Sequence, residues 1–266
     1  MIPILLLLRS VYRHRTMIFA LAVRDLRSRY VGTLGGILWT VAHPIAVITV
    51  FYFVFTVGFK SHGPDQTPFL LWFVCGIVPW FFFNETLSAA SDSVTRHAHL
   101  IKKIVFPSEI LPVVNVAVGL VPHTVFLFIV AGLMAWFQVP FAGSRLMVVY
   151  FLFCTCALLM GLSWILSAIQ VFYRDVSHGL SIILNLWFWV TPIVWPPENI
   201  PEAYRGLLYY NPIYYVVEGY RGLLVFHTLA WPNLSHTIYF WSIAGVTLLV
   251  GAYVFSRLKP EFPDVL

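Results

Sequence analysis

The side chains with the means to do chemistry gather in one stretch, Arg96-His97-Ala98-His99-Leu100-Ile101-Lys102-Lys103-Ile104-Val105-Phe106-Pro107, running on to Pro112. Leu100, Ile101, Ile104 and Val105 share one face at helical spacing, His99, Lys102 and Lys103 take the other, and Pro107 ends the pattern. A short basic amphipathic helix of this kind offers a docking face to another protein; the same pattern also fits a connector held at lipid headgroups. Bond-making chemistry is harder to find. No phosphate-cradling glycine loop with its lysine occurs, so ATP hydrolysis by that route is excluded for this chain. The nine histidines are scattered, with no pair at metal-ligand spacing beside a carboxylate, and no metal site is expected. Gly161-Leu162-Ser163, with His178 or His236, resembles part of an intramembrane serine hydrolase. No second glycine follows the serine and no orienting acid is evident, so Gly161, Ser163, Ser167 and Ala168 read instead as a small-residue stripe for helix packing. No catalytic residue is assigned.

The elements that must position that loop are set by hydropathy. Of 266 residues, 60% are hydrophobic and 10% charged, and the mean hydropathy is +0.84, values of a polytopic membrane protein. Charge-free blocks predict six transmembrane helices, approximately 31–59, 66–84, 110–137, 146–173, 176–197 and 234–256, each able to supply the roughly 20 residues a crossing needs. The fold class is therefore an all-α integral membrane protein, one domain over 1–266, without internal repeats. An even number of spans leaves both termini on one side, and the basic residues choose it. Arg9, Arg13, Arg15, Arg24, Arg27, Arg29, Arg96, Lys102, Lys103, Arg174, Arg257 and Lys259 fall on that side, against Lys60, Arg145, Arg205 and Arg221 on the other. Both termini are expected in the cytoplasm. The net charge of +5 then reflects topology and attraction to lipid, and nucleic acid is not an expected partner. Cys75, Cys154 and Cys156 lie in predicted spans as packing residues. The opening Met1–Leu8 is too short to span and lacks the marks of a cleaved signal peptide.

Within residues 1–30, Phe19, Ala22, Val23, Leu26 and Tyr30 recur at helical intervals, with Arg24 and Arg27 opposite, which predicts an interfacial amphipathic helix. Gly32, Gly35 and Gly36 open the first span and Pro44 stands midway in it. Glu85 closes the second and must lie at the interface or find a partner. Before the last span, Glu202–Tyr210 and Ile213–Phe226, parted by Asn211-Pro212, are each too short to cross and too aromatic for a free loop. They predict a re-entrant half-helix hairpin over 198–226. Charges inside the spans are nearly absent, which argues against a proton- or sodium-coupled carrier. Aromatic residues make up 17% of the chain. Many form interfacial belts, yet aromatic faces also stack on sugar rings, so a charge-poor aromatic conduit suits a sliding polysaccharide. Trp39, Phe51, Tyr52 and Phe55 in the first span and Trp187, Phe188 and Trp189 in the fifth are the candidates to line it.

With these residues in view, the chain resembles the permease subunits of ABC type-2 polysaccharide exporters, above all O-antigen exporters and next to them teichoic-acid exporters. The likeness rests on Val23-Arg24-Asp25-Leu26-Arg27-Ser28-Arg29-Tyr30 with Gly35, Leu38-Trp39 and Pro44, and on Gly76-Ile77-Val78-Pro79-Trp80 with Phe82-Phe83. It continues through Leu100-Ile101-Lys102-Lys103 with Phe106-Pro107 and Glu109-Ile110-Leu111-Pro112, Tyr173-Arg174-Asp175-Val176, Pro192, Asn211-Pro212, Arg221 and Arg257-Leu258-Lys259-Pro260.

The resemblance implies a homodimer in the bacterial inner membrane, with a channel at the dimer interface and a separate ATPase subunit, which binds ATP and magnesium, beneath each permease. It implies a coupling helix over 95–106, which makes His99, Leu100, Ile101, Lys102, Lys103, Ile104, Val105 and Phe106 the contacts to that ATPase. The substrate it implies is a glycan on undecaprenyl diphosphate, for whose diphosphate Arg24, Arg27 and Arg29 are the interfacial candidates. The hairpin, with Asn211, Pro212, Tyr214 and Tyr215, is expected to shape the periplasmic exit. Export of teichoic acid, capsule or a small amphiphile by the same fold, and more distantly an intramembrane hydrolase, are the alternatives.

Overall fold

The computed structural model describes residues 3–30, 38–64, 67–103, 106–140, 142–226 and 233–266, and every regular element among them is helical. Gly32, Gly35 and Gly36, Ile104, Val105 and the side chain of Arg29 lie outside the described residues. Two helices, α1 (Pro3–Arg13) and α2 (Arg15–Tyr30), precede α3 (Trp39–Phe51), whose end widens into a π-helical segment over Tyr52–Gly58. There the Phe59 N–H reaches back to the Val54 carbonyl at 2.9 Å, and Lys60, at φ 51°, turns the chain away. α4 (Phe69–Ser91) leads through α5 (Ser93–Arg96) and α6 (Ala98–Lys103) into α7 (Ile110–Trp136). A 3-10 turn at Gly143–Met147 opens α8 (Val148–Phe172), and α9 (Val176–Val190) follows a tight turn. The chain ends in α10 (Glu202–Leu208), α11 (Pro212–Leu224), α12 (Leu234–Leu258) and α13 (Phe262–Val265).

Five of these stretches are long and apolar enough to cross a membrane: Val41–Gly58, Phe69–Ser91, Ile110–Trp136, Gly143–Phe172 and Leu234–Val265. The block expected as a fifth span over 176–197 behaves differently. Its helix stops at Val190 after 15 residues, about 22 Å, because Pro192 has no N–H to continue it and forces Thr191 into an extended conformation (φ −83°, ψ 129°). The second block, expected to end at residue 84, runs on to Ser91, since nothing between Glu85 and Ser91 breaks a helix; Glu85 is thereby an exposed residue within α4. In α2 the buried stripe is Ile18 and Leu21, while Phe19, expected on the apolar face, is 73% exposed.

α4 is the axis of the bundle and is mostly buried, with α7, α8, α9 and α11 packed round it. α8 and α12 cross most closely of all. A Cβ at Gly161 would stand 2.6 Å from the backbone of Thr247 and Leu248, and one at Gly251 would stand 2.4 Å from the Gly161 carbonyl oxygen. Ser163, Ser167 and Ala168 are wholly buried, so the stripe lets two backbones meet as in other membrane helix pairs. The core has two parts. One surrounds α4 and α11; the other gathers Leu7, Ile18, Ile101, Phe106, Phe255 and Phe262 at the end of the bundle where both chain termini lie.

Gly161→Leu is expected to force α8 from α12 and cost about 1–3 kcal/mol, read as a lower thermal unfolding midpoint in detergent. Gly132→Leu, whose Cβ meets nothing within 4 Å, is the control expected to leave the midpoint in place.

Candidate functional site

At the terminal end, the segment between α4 and α7 folds back on the bundle as two short helices. In α6, Ile101 is buried and Leu100 packs beside it, while His99, Lys102 and Lys103 are exposed; Phe106, past the helix, is buried again. The apolar face therefore anchors the helix to its own chain, and the basic face is left for an outside contact. Lys102 and Lys103 border a groove of about 690 Å³ floored by Ile101, Phe106, Pro260 and Pro263. The preceding corner is pinned on two sides. Arg96 donates to the carbonyl of Ala89 and, at 3.5 Å, to Asn115 Oδ1. His97 has its Nδ1 2.8 Å from the Ser93 carbonyl and its Nε2 3.1 Å from Arg24 Nη2.

Arg24 is thus half-exposed and shared between Asp25 (3.4 Å) and His97; Arg27 is exposed on the same helix. Arg24 of α2 thus meets the corner at His97 that precedes α6, a juxtaposition that local periodicity does not encode.

Just before α7, Glu109 is 4% exposed. Its carboxylate accepts from Ser10 Oγ of α1 at 2.5 Å and from Lys259 Nζ, just past α12, at 2.6 Å, and its carbonyl accepts from Trp164 Nε1 at 3.1 Å. Burial alone would raise the Glu109 carboxyl, but the bonds from Lys259 and Ser10 outweigh it and hold it below its ordinary value of 4.5.

The aromatic candidates divide. Phe51 stacks on Phe73 (4.6 Å between centroids) and Phe55 on Phe69 (5.2 Å), so both brace α3 against α4. Trp187 donates to Asn211 Oδ1 at 2.9 Å, and Phe188 packs on Trp80. Trp39, Tyr52 and Trp189 are 56%, 41% and 59% exposed; these three present rings outward. Of the residues assigned to the exit, Asn211 caps α11 through Ile213 N–H at 3.0 Å and donates to Thr191 Oγ1 at 2.8 Å, and Pro212 occupies the first turn. Tyr214 is buried, and the Tyr215 hydroxyl joins Tyr150 and Thr237 at 3.0 and 3.1 Å. They hold the short helices in place, and the rings exposed beside them belong to Tyr204, Tyr209 and Tyr210.

One residue counted among the basic residues opposite the termini lies in the core. Arg221 of α11 is fully buried. It donates to the carbonyls of Pro192 (2.6 Å), Ile193 (2.8 Å) and Trp72 (3.3 Å), pairs with Glu218 at 3.2 Å and lies 3.6 Å over the Trp72 ring. Gly76 makes the room, since a Cβ there would come within 2.9 Å of three guanidinium atoms. Arg145 is buried too and donates to the Leu224 carbonyl at the end of α11, 2.9 Å away. The signal in the sequence was the pairing of Gly76 and Pro192 with Arg221, residues whose contact only the fold reveals.

The profile of the ABC-2 type transporter family matches residues 16–225. The chain belongs to that family. Among its relatives, the O-antigen export system permease protein RfbA of Klebsiella pneumoniae is 30% identical over 253 residues, covering 91% of this chain and 92% of that protein. The O-antigen export system permease protein RfbA of Myxococcus xanthus is 29% identical and covers 97% and 98%. The polysialic acid transport protein KpsM of Escherichia coli is 24% identical and covers 75% and 77%. This ABC-2 protein is accordingly a multi-pass membrane permease, a transporter subunit rather than an enzyme, of a kind that works with an ATPase partner.

Two outcomes follow for the ABC-2 permease. Arg221→Met leaves the Pro192 and Ile193 carbonyls buried without donors and is expected to cost about 2–5 kcal/mol, seen as a lower unfolding midpoint in detergent. The depressed Glu109 carboxyl contributes stability in full above its ordinary value and loses it as pH falls through the lower folded-state value. Between about pH 6 and about pH 3 the unfolding midpoint is expected to fall further in the wild type than in Glu109→Gln.

Proposed function

We propose that this chain is the channel-forming permease subunit of an ATP-driven exporter that carries undecaprenyl-diphosphate-linked O-antigen polysaccharide across the bacterial inner membrane. It acts as a homodimer, with two copies of a nucleotide-binding subunit docked on its cytoplasmic side and supplying ATP and magnesium. The observation that carries this reading is near-complete likeness along the chain to permeases named for O-antigen export, greater in coverage and identity than to the polysialic acid transporter.

The geometry suits the work. ATP binding draws the two partner subunits together, and each presses on the exposed face of α6, with His99, Lys102 and Lys103 in contact. Because Leu100, Ile101 and Phe106 are packed into the terminal-end core, the push passes to α7 and α2 instead of bending a loose connector. The permease pair then rocks. The lipid diphosphate enters beside α2, where Arg24, Arg27 and Arg29 meet it, and the glycan slides past the outward rings of Trp39, Tyr52 and Trp189. Phe51, Phe55, Trp187 and Phe188 hold those helices in line.

The chain crosses six times. α9 is a shortened fifth span, completed by irregular backbone at Thr191–Trp195 that survives at membrane depth only because protein donors satisfy it. α10 and α11 form the re-entrant hairpin on the periplasmic side, and Asn211, Pro212, Tyr214 and Tyr215 set its shape at the exit. Both termini are cytoplasmic. With Arg145 and Arg221 buried, only Lys60 and Arg205 remain of the opposing basic residues, which sharpens the charge asymmetry.

Deleting the gene is expected to leave lipid-linked O-antigen accumulating on the cytoplasmic face, and the wild-type gene to restore export. Accumulation of capsule or teichoic-acid precursor instead would change the cargo; ATPase stimulation by small amphiphiles and none by lipid-linked glycan would make the chain a drug exporter. Lys102→Glu with Lys103→Glu is expected to abolish co-purification of the ATPase and to cut export at least about tenfold, the effect of one lost charge-assisted contact. Unchanged binding and export would refute α6 as the docking face.

A further inference from the structure

Outside the docking face, the most connected polar group at the terminal end is the Glu109 carboxylate, to which the function proposed above gives no part. Its two oxygens are each taken by one donor, and the donors come from opposite ends of the chain, Ser10 in α1 and Lys259 after α12. Its backbone lies after α6 and immediately before α7, and is tied to α8 through Trp164. We propose that Glu109 is a positioning residue for energy coupling: it clamps both chain termini to the root of α7, so that a displacement of α6 moves α1, α7 and the C-terminal segment as one body. This rests on α6 being the face that meets the ATPase.

A buried ion pair adds little net stability over an apolar pair of equal size, because desolvation offsets attraction; what it adds is a fixed arrangement. Glu109 fixes an unusual one, since 99 residues separate it from Ser10 and 150 from Lys259, and loss of the carboxylate frees both ends together. Lys259 keeps a wet side, at 37% side-chain exposure, and it borders the same groove as Lys102 and Lys103. The clamp therefore sits directly behind the surface on which the partner would push. His14, 3.3 Å from Ser10 Oγ, is the other titratable group described at this junction.

The test uses the full chain in lipid nanodiscs and hydrogen–deuterium exchange. Glu109→Gln is expected to speed amide exchange about tenfold in Ala98–Lys103, Pro3–Arg13 and Phe262–Val265, and Lys259→Met in Ala98–Lys103 and Phe262–Val265 with Pro3–Arg13 less affected, the equilibrium worth of one charge-assisted hydrogen bond, with α4 unchanged. The double variant is expected to exchange no faster than Glu109→Gln alone, since the Lys259 tie is already lost there. In the complex with its nucleotide-binding subunit, both single variants are expected to retain the partner and its ATP turnover while glycan exported per ATP falls about tenfold, a split that general loss of stability does not produce. Unchanged exchange in α6, additive effects in the double variant, or unchanged export per ATP would each overturn the proposal. Loss of partner binding by Lys259→Met alone would overturn it as well, making Lys259 a direct contact. Failure of the docking reading shows separately, as partner binding that survives charge reversal at Lys102 and Lys103 while the exchange result stands.

Discussion

A guanidinium enclosed by apolar helices is stable only if its donors are answered and its charge is spread, and Arg221 meets both conditions while solving a second problem. After α9 the chain leaves helical geometry at Thr191, where its carbonyls have lost their intrahelical partners in surroundings that offer no water. Arg221 supplies donors to Pro192 and Ile193, rests on the Trp72 ring and occupies the space left by Gly76. α4, α9 and α11 are joined through this one side chain. Arg145, bonded to the last turn of α11, and Asn211, at its first, fix the remaining ends of the same helix. The short α10 and α11 are held in place by these few polar ties, together with the apolar face of α11.

The terminal end of the molecule follows a similar rule with opposite charge. Glu109 collects donors from α1, α8 and the segment after α12, and Arg24 joins α2 to the corner at His97. Between these two polar centres the bundle is held by shape, most closely where Gly161 and Gly251 let α8 and α12 touch backbones. A rigid α4 runs between them. A displacement applied at α6 thus has a continuous packed route, through α7 and α4, toward the Arg221 junction. In the function proposed here, that route is what lets a permease without nucleotide chemistry of its own respond to ATP.

Local pattern carried much of this. The all-helical membrane class follows from apolar blocks, the two-faced loop at Leu100–Lys103 from helical spacing, and the packing role of Gly161 and Ser163 from small residues at one face. What it left out depends on distant partners. Pro192 was visible, but its effect on the length of the fifth apolar block required knowing that Arg221 satisfies the backbone beyond it. Arg145 and Arg221 read as basic residues of the side opposite the termini, whereas their burial is decided by carbonyls contributed from elsewhere. The contacts of Phe51, Phe55, Trp187 and Phe188 with neighbouring elements were not legible either, because an aromatic side chain looks the same to periodicity whatever it packs on. Glu109 stood within a matched block without a role until the chain ends were brought to it.

The central claim is that the exposed basic face of α6 meets the ATPase while its apolar face stays on the permease. A photo-crosslinking amino acid placed at His99 or at Lys103, in the full chain co-expressed with its nucleotide-binding subunit, tests that directly. The account predicts an adduct with the ATPase from both positions and, from the same group at Ile101, an adduct within the permease alone. Crosslinks from His99 and Lys103 to lipid only, with the ATPase captured from another surface, would contradict it.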